Sequence, residues 1–510
     1  MTRATPVRWS TARDVITVSV PLLLGMVGNL VMMLVDRITL ARYSPETLEA
    51  SGPAVFTAMT IIAFCTMTVA ISRSYVAQAH GRGDGAGALT EAARGTVVGL
   101  AVAVLLLLTA PLAALIPQLS SRPDEVTELE SVYLVWAMRF GAVMVINTCL
   151  SSYFNGLGRT RVQMAVGLTG QAVDVFFTVG LVFGTFGLPE LGMSGSAIGT
   201  LIGTSVMLVL YLVMMPSGFI PALARALRPD RAELRRLGTR LRRGAPSGGS
   251  AGVDELAQTA FVWIAALLGP AALAANNVAL SINYVGIIPL IGLGIGCSIL
   301  CANALGDDAH DRVPHIVRVT VGIAAVYVAV ISAVQILTPS LLLGPFGLAG
   351  GDRETVDTAV ATTRVLWTYS VTFMFSMIGS AVLEAFGLTR YVFTARLVVM
   401  WLFSVPAILA VSLLNDGDGD FLVVIWLIGS VFEGTLGALF FRRLRRATAE
   451  RENLLAESFV PAAPDPAGGA PIAAQVPVAV VDETPAGATG GTVDGTHRLT
   501  PDGTTRTEGS

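Results

Sequence analysis

Lysine is missing from the chain altogether, cysteine and histidine occur four times each, and only 14% of the 510 residues are charged. So little charge excludes a soluble protein of this size. With 53% hydrophobic residues and a positive mean hydropathy, no single aqueous core would bury the apolar surface. Lipid is therefore the solvent for most of the chain. The cysteines, Cys65, Cys149, Cys297 and Cys301, all fall inside apolar runs, where cysteine behaves as a small hydrophobe. Cys297 and Cys301 are one helical turn apart, but two soft ligands without a partner His or Cys make a poor metal site. No HExxH segment, nucleophile motif or acidic pair of prenyl-transfer type is present, which argues against an enzyme. Alternating segments of about ten residues are absent too, and with them a membrane β-barrel.

What is present is a series of apolar runs of the roughly 20 residues a helix needs to cross a bilayer. They predict spans near 15–36, 53–72, 95–116, 131–154, 162–184, 192–215, 246–268, 276–301, 316–337, 361–385, 391–414 and 421–441. Arg3, Arg8 and Arg13 precede the first run and no small-residue cleavage site follows it, so it reads as a retained span and not as a signal peptide. Without lysine, orientation rests on arginine. The termini up to Arg451 and the even-numbered connections, together with Arg318 and Arg396 at the near ends of the spans that follow them, hold 25 arginines, whereas the odd connections hold Arg37, Arg42, Arg122 and Arg353. The positive-inside rule then predicts a multi-pass protein of the cytoplasmic membrane with both termini cytoplasmic.

The halves repeat. A shift of 225 residues lays Pro21 on Pro246, Pro45 on Pro270, Leu48 on Leu273, Ala54 on Ala279, Gln78 on Asn303 and Gly81 on Gly306. The same shift lays Arg139 on Arg364, and a four-residue slip then aligns Gly158-Arg159-Thr160-Arg161 with Gly387-Leu388-Thr389-Arg390. The expected fold is thus an all-α polytopic membrane protein of about twelve helices in two homologous six-helix lobes. The expected organisation is an N-lobe over 1–215, an Arg-rich cytoplasmic linker over 216–245, a C-lobe over 246–445 and a disordered cytoplasmic tail over 446–510. An even number of spans per repeat gives parallel repeats about an axis along the membrane normal, with a cleft between or within the lobes. The linker carries eight arginines and reads as a topology anchor; the turn Asn415–Asp420 lacks the length and distal glutamate of a calcium loop.

Ionisable side chains at membrane depth are costly and mark function. They are Asp36, Asp174, Asp254, Glu255, Glu384, Glu433, Arg139 and Arg364. Asp36 closes the first span fifteen residues after Pro21, a hinge because proline removes one helical hydrogen bond. Asp174 falls in the middle of the fifth span between Gln171 and Thr178. Glu384, near the end of its span, is positioned for gating or for pairing with Arg390. The two arginines are placed to neutralise carboxylates or bind helix-end carbonyls, and Glu433 has no counterpart in the repeat.

Several stretches carry a resemblance. They are Leu34-Val35-Asp36-Arg37, Val76-Ala77-Gln78-Ala79-His80-Gly81, Asn155-Gly156-Leu157-Gly158-Arg159-Thr160-Arg161, Leu191 to Thr200, Ala274 to Leu280 and Ile288-Pro289-Leu290. In this order and spacing, over roughly residues 14 to 445, the chain resembles the multidrug and toxic compound extrusion transporters. The resemblance implies an antiporter that exports amphipathic, often cationic small molecules in exchange for protons or sodium. It implies no cofactor beyond the transported ion, no nucleic-acid partner and a monomer in the bilayer. A flippase for lipid-linked saccharides of the same superfamily is the competing function, and a membrane-embedded transferase a further one.

In relatives with an N-lobe site, the fifth helix offers an asparagine and, a turn later, a carboxylate or amide, while the sixth offers a threonine. The matching positions here are Asp174, Thr178 and Thr200, so the carboxylate stands one turn away from that pattern. With Asp36 they form the expected cation-coupling set, and Asp36 and Asp174 would be the metal ligands if the ion is sodium. Asp254 aligns with a C-lobe acid of one branch, whose tenth-helix aspartate has no equivalent in Phe373-Met374-Phe375-Ser376. Asp254 and Glu255 are therefore expected to attract cationic substrate.

Overall fold

Our computed structural model describes residues 12–119, 124–228, 230–268, 270–343, 353–413 and 421–456. Within them every regular element is helical, which is how a chain satisfies its backbone polar groups in lipid. The first half holds α1 (Ala12–Tyr43), α2 (Pro45–Ala70), α3 (Ser72–Gly81), α4 (Gly85–Ala113), α5 (Asp124–Gly156), α6 (Thr160–Phe183) and α7 (Met193–Met214). A short α8 (Phe219–Ala226) leads to the second half: α9 (Arg231–Leu267), α10 (Pro270–Gly306), α11 (Val313–Leu337), α12 (Pro339–Leu343), α13 (Arg353–Ala385), α14 (Thr389–Leu397), α15 (Val405–Leu413) and α16 (Phe421–Ala449). A π-helical stretch, Val398–Ser404, joins α14 to α15 within one span.

Eleven of these segments, among the described residues, are long and apolar enough to cross a membrane. The seventh predicted span is the membrane half of α9; small and polar residues from Pro246 to Gly252, then Asp254 and Glu255, interrupt its apolar character. Large side chains such as Leu108, Val213, Leu337 and Leu402 are exposed, as lipid-facing residues must be.

Local chemistry sets where helices start and stop. The Ser44 hydroxyl accepts from the Thr47 amide at 3.1 Å ahead of α2, and Asp84 accepts from the Gly87 amide at 2.7 Å to start α4. The repeat is visible in the turns. Gly158 and Gly387 close α5 and α13 with the same left-handed conformation, φ 73° and 83°. The residues after them make the same bonds, Arg159 N to Phe154 O at 2.8 Å and Leu388 N to Leu383 O at 3.0 Å.

Besides the packing of α3 on α10, two glycine-lined seams join the lobes. In one, α1 lies on α10, where a side chain on Gly292 would meet Leu23 and one on Gly296 would meet Ser19. In the other, α9 lies on α2, with Gly244 and Gly248 against Thr68 and Phe64. Each seam uses two glycines four residues apart, the small-residue spacing that lets membrane helices approach closely.

Two sequence-level boundaries need correcting. The linker expected over 216–245 is mostly helix: from Arg231 it runs unbroken into the seventh span as α9. It is docked on α4 by Arg94, which bonds Glu233 at 2.9 Å and 2.5 Å, and by Arg240, which pairs with Glu91. The tail expected from 446 does not begin there either. Helix α16 continues to Ala449, Arg443 pairs with Glu452 at 2.7 Å, and Leu455 is buried against Ile71 and Tyr75. Residues 457–510 and the turn Asn415–Asp420 lie outside the described residues.

Candidate functional site

The N-lobe acids meet where α1, α5, α6 and α7 converge. Gly195, Gly199 and Gly203 recur every fourth residue along α7, and side chains there would run into Leu181, Thr178 and Asp174 of α6. This glycine face is why α7 lies close enough to α6 to bring Thr200 beside Asp174. The Thr178 hydroxyl donates to Asp174 Oδ1 at 3.1 Å and the Thr200 hydroxyl to Asp174 Oδ2 at 3.4 Å. Asp36 reaches the same cluster from α1, within hydrogen-bonding reach of Thr178 and close enough for its charge to act on Asp174. All four predicted coupling residues are therefore gathered in one place.

The charge balance there is one-sided. Neither Asp36 nor Asp174 makes an ion pair with a described residue, and Asp36 Oδ1 is buried without a hydrogen-bond partner. Tyr133 of α5 is buried and feels the charges of both carboxylates. Sequence reading missed it, because a lone tyrosine in an apolar span carries no signal. Gln171, a turn before Asp174, donates to the Gly25 carbonyl of α1 at 3.3 Å. Pro21 is buried within α1, fifteen residues before Asp36, without ending the helix.

The C-lobe acids sit differently. Arg396 of α14, counted from sequence with the arginine-rich face, is buried inside the lobe. Its Nη1 lies 2.8 Å from Asp254 Oδ2 and its charge acts on Glu433, whose Oε2 is buried without a hydrogen-bond partner. The π-helical stretch begins two residues later, the kind of backbone irregularity that recurs at functional sites. Asp254 is thus engaged by an internal cation through Oδ2, while its Oδ1 has no hydrogen-bond partner. Glu255 is half-buried beside it.

Glu384 pairs with Arg73 of α3 at 3.6 Å, not with Arg390 as expected. Arg139 and Arg364 are both exposed, and Arg139 stacks 4.2 Å over the Trp136 ring in place of meeting a carboxylate. Cys297 and Cys301 lie buried with their sulfurs 4.0 Å apart. Among the described residues no group of three or more His, Cys, Asp or Glu is placed to hold a metal ion.

Two six-span lobes with buried carboxylates define a polytopic transporter. The pattern of the MatE family matches residues 21–179 and 253–409, one block in each lobe, and the chain belongs to that family. A "probable multidrug resistance protein NorM" of Pseudomonas aeruginosa is 25% identical over 396 residues, covering 76% of this chain and 80% of that one. The "multidrug resistance protein MdtK" of Edwardsiella ictaluri is 23% identical over 453 residues, 86% and 96% of the two chains. Among solved structures, a multidrug resistance MATE family transporter in an outward-facing conformation superposes with a TM-score of 0.77 at 18% identity, covering 88% of this chain and 99% of that one. The chain is accordingly a transporter of the multidrug efflux family and not an enzyme.

Proposed function

We propose that the chain is a cation-coupled antiporter that exports amphipathic, cationic small molecules by alternating access, with both termini cytoplasmic. The observation that carries this reading is the contrast between the lobes. The N-lobe gathers Asp36, Asp174, Thr178 and Thr200 with no internal cation, whereas the C-lobe acids have Arg396. A buried anion without a partner is unstable, so a proton or a sodium ion stabilises whichever lobe arrangement presents the pair to it. Carboxylates and hydroxyls together suit either ion. Pro21 gives α1 a place to bend as Asp36 gains or loses its charge. Asp254 serves the structure of the C-lobe through Arg396, and Glu255 is left as the acid that attracts cationic substrate.

The test is efflux of fluorescent cations from everted vesicles, with pH and sodium gradients imposed separately. Asp36→Asn and Asp174→Asn keep shape but cannot change charge, so each should lose at least tenfold in gradient-driven rate while still binding substrate. Gradient-driven efflux by Asp36→Asn equal to that of the parent, at equal expression, would sink the N-lobe reading and leave Glu255 as the acid to test for coupling.

A further inference from the structure

The arginine-rich ends of the two lobes are held together by a swapped pair of hydrogen bonds. Gln78, at the end of α3, donates its side-chain amide to the carbonyl of Ala385, the last residue of α13, at 3.0 Å. Asn303, near the end of α10, donates to the carbonyl of Gly156, the last residue of α5, at 3.2 Å. Gln78 and Asn303 are partners under the 225-residue shift, and Gly156 and Ala385 under the slipped 229-residue shift. Each half thus clips onto the helix end of the other, related by the same two-fold axis as the lobes. The glycines one turn further on make this possible. A side chain on Gly81 would strike the Asn303 carbonyl, and one on Gly306 the Gln78 carbonyl. Both amides are buried, and both leave their side-chain oxygens, Gln78 Oε1 and Asn303 Oδ1, without a hydrogen-bond partner.

We propose that this reciprocal amide clasp is the cytoplasmic gate, the set of contacts that must separate for the cleft to open inward. Three features fit a gate better than permanent glue. The bonds cross between the lobes, so any rocking of one lobe against the other breaks both at once. Each accepting carbonyl is a helix-end group with no partner of its own further along the helix, so water replaces the amide when the lobes part. Each donor amide also keeps one acceptor unsatisfied while the clasp is shut, which weakens the closed state and keeps opening reversible. The inference rests on the alternating-access reading above.

The experiment places a reporter cysteine at Ala77, which is buried in the seam against the C-lobe core, and follows its alkylation by a membrane-impermeant maleimide in inside-out vesicles. Gln78→Met and Asn303→Leu remove the donors at similar volume. Each should speed labelling about fivefold and the pair about 25-fold, the change expected for one and two ordinary hydrogen bonds. Gradient-driven efflux should fall in the same order. Labelling of the double variant at the parental rate would overturn the proposal. If the amide variants do not fold, Gly81→Ala and Gly306→Ala pry the same contact apart sterically; parental labelling in both would overturn it equally. Faster labelling from right-side-out vesicles instead would refute the orientation and, with it, the gate's assignment to the cytoplasm. Failure of the N-lobe coupling site alone would leave the labelling result unchanged.

Discussion

A carboxylate in a membrane protein takes its meaning from whether a cation stands next to it. Asp254 has Arg396 and Asp36 has none. Replacing Arg396 with methionine should therefore lower stability by about 2 kcal/mol, less than a fully buried pair because the Asp254 side chain is 35% exposed. Thermal unfolding in detergent should show the loss, and Arg396→Met combined with Asp254→Asn should recover part of it. An unchanged melting temperature in Arg396→Met would mean that the pair contributes nothing. Asp36 and Asp174 were legible because carboxylates stand out against apolar spans, whereas Thr178 and Thr200 were reached only through the resemblance to relatives with an N-lobe site. Arg396 was misread because it follows Thr389 by only seven residues, and charge counting assigns such an arginine to the membrane face. The distance to Asp254, 142 positions away in sequence, is set by folding alone.

At the scale of elements, hydropathy located the spans but not the helices. Helix α5 begins at Asp124 and α4 at Gly85, well before the apolar runs at 131 and 95, because helices continue into water where apolarity stops. The linker was read as a connection for the same reason: its arginines, good helix formers, give no apolar signal. Its docking is electrostatic. Burial raises the Glu233 carboxyl, but the bonds and charges of Arg94 and Arg236 outweigh this and hold it below the ordinary glutamate value of 4.5. A lowered value in the folded state means this stabilisation is complete at neutral pH and fades only as pH falls through that lowered value. Glu233→Gln removes it at any pH. Trypsin should then cut at Arg231 and Arg235 several-fold faster at pH 7.5, and an identical cleavage rate would show that the ion pairs do not hold α9 down.

For the whole molecule, the internal repeat was the most informative feature of the sequence, and it correctly paired Gln78 with Asn303. It did not reveal the swap between halves, since alignment says which residues are equivalent and not which ones touch. The chain end was also misjudged, because Leu454-Leu455-Ala456 is an apolar stretch too short for any pattern to mark. Removing residues 457–510 should leave transport and melting temperature as they are. Removing everything after Arg446 uncovers Ile71 and Tyr75 and loses the Arg443–Glu452 pair, which should lower stability by about 2 kcal/mol. Equal melting temperatures for the two truncations would refute this docking. The unbroken α9 bears finally on the order of synthesis. Its basic half leaves the ribosome before its membrane half and before the rest of the second lobe. Clamped to α4 by Glu91, Arg94, Glu233 and Arg240, that half presents the next span to α2 while the remaining spans are still unmade. The first lobe is thus a template on which insertion of the second begins.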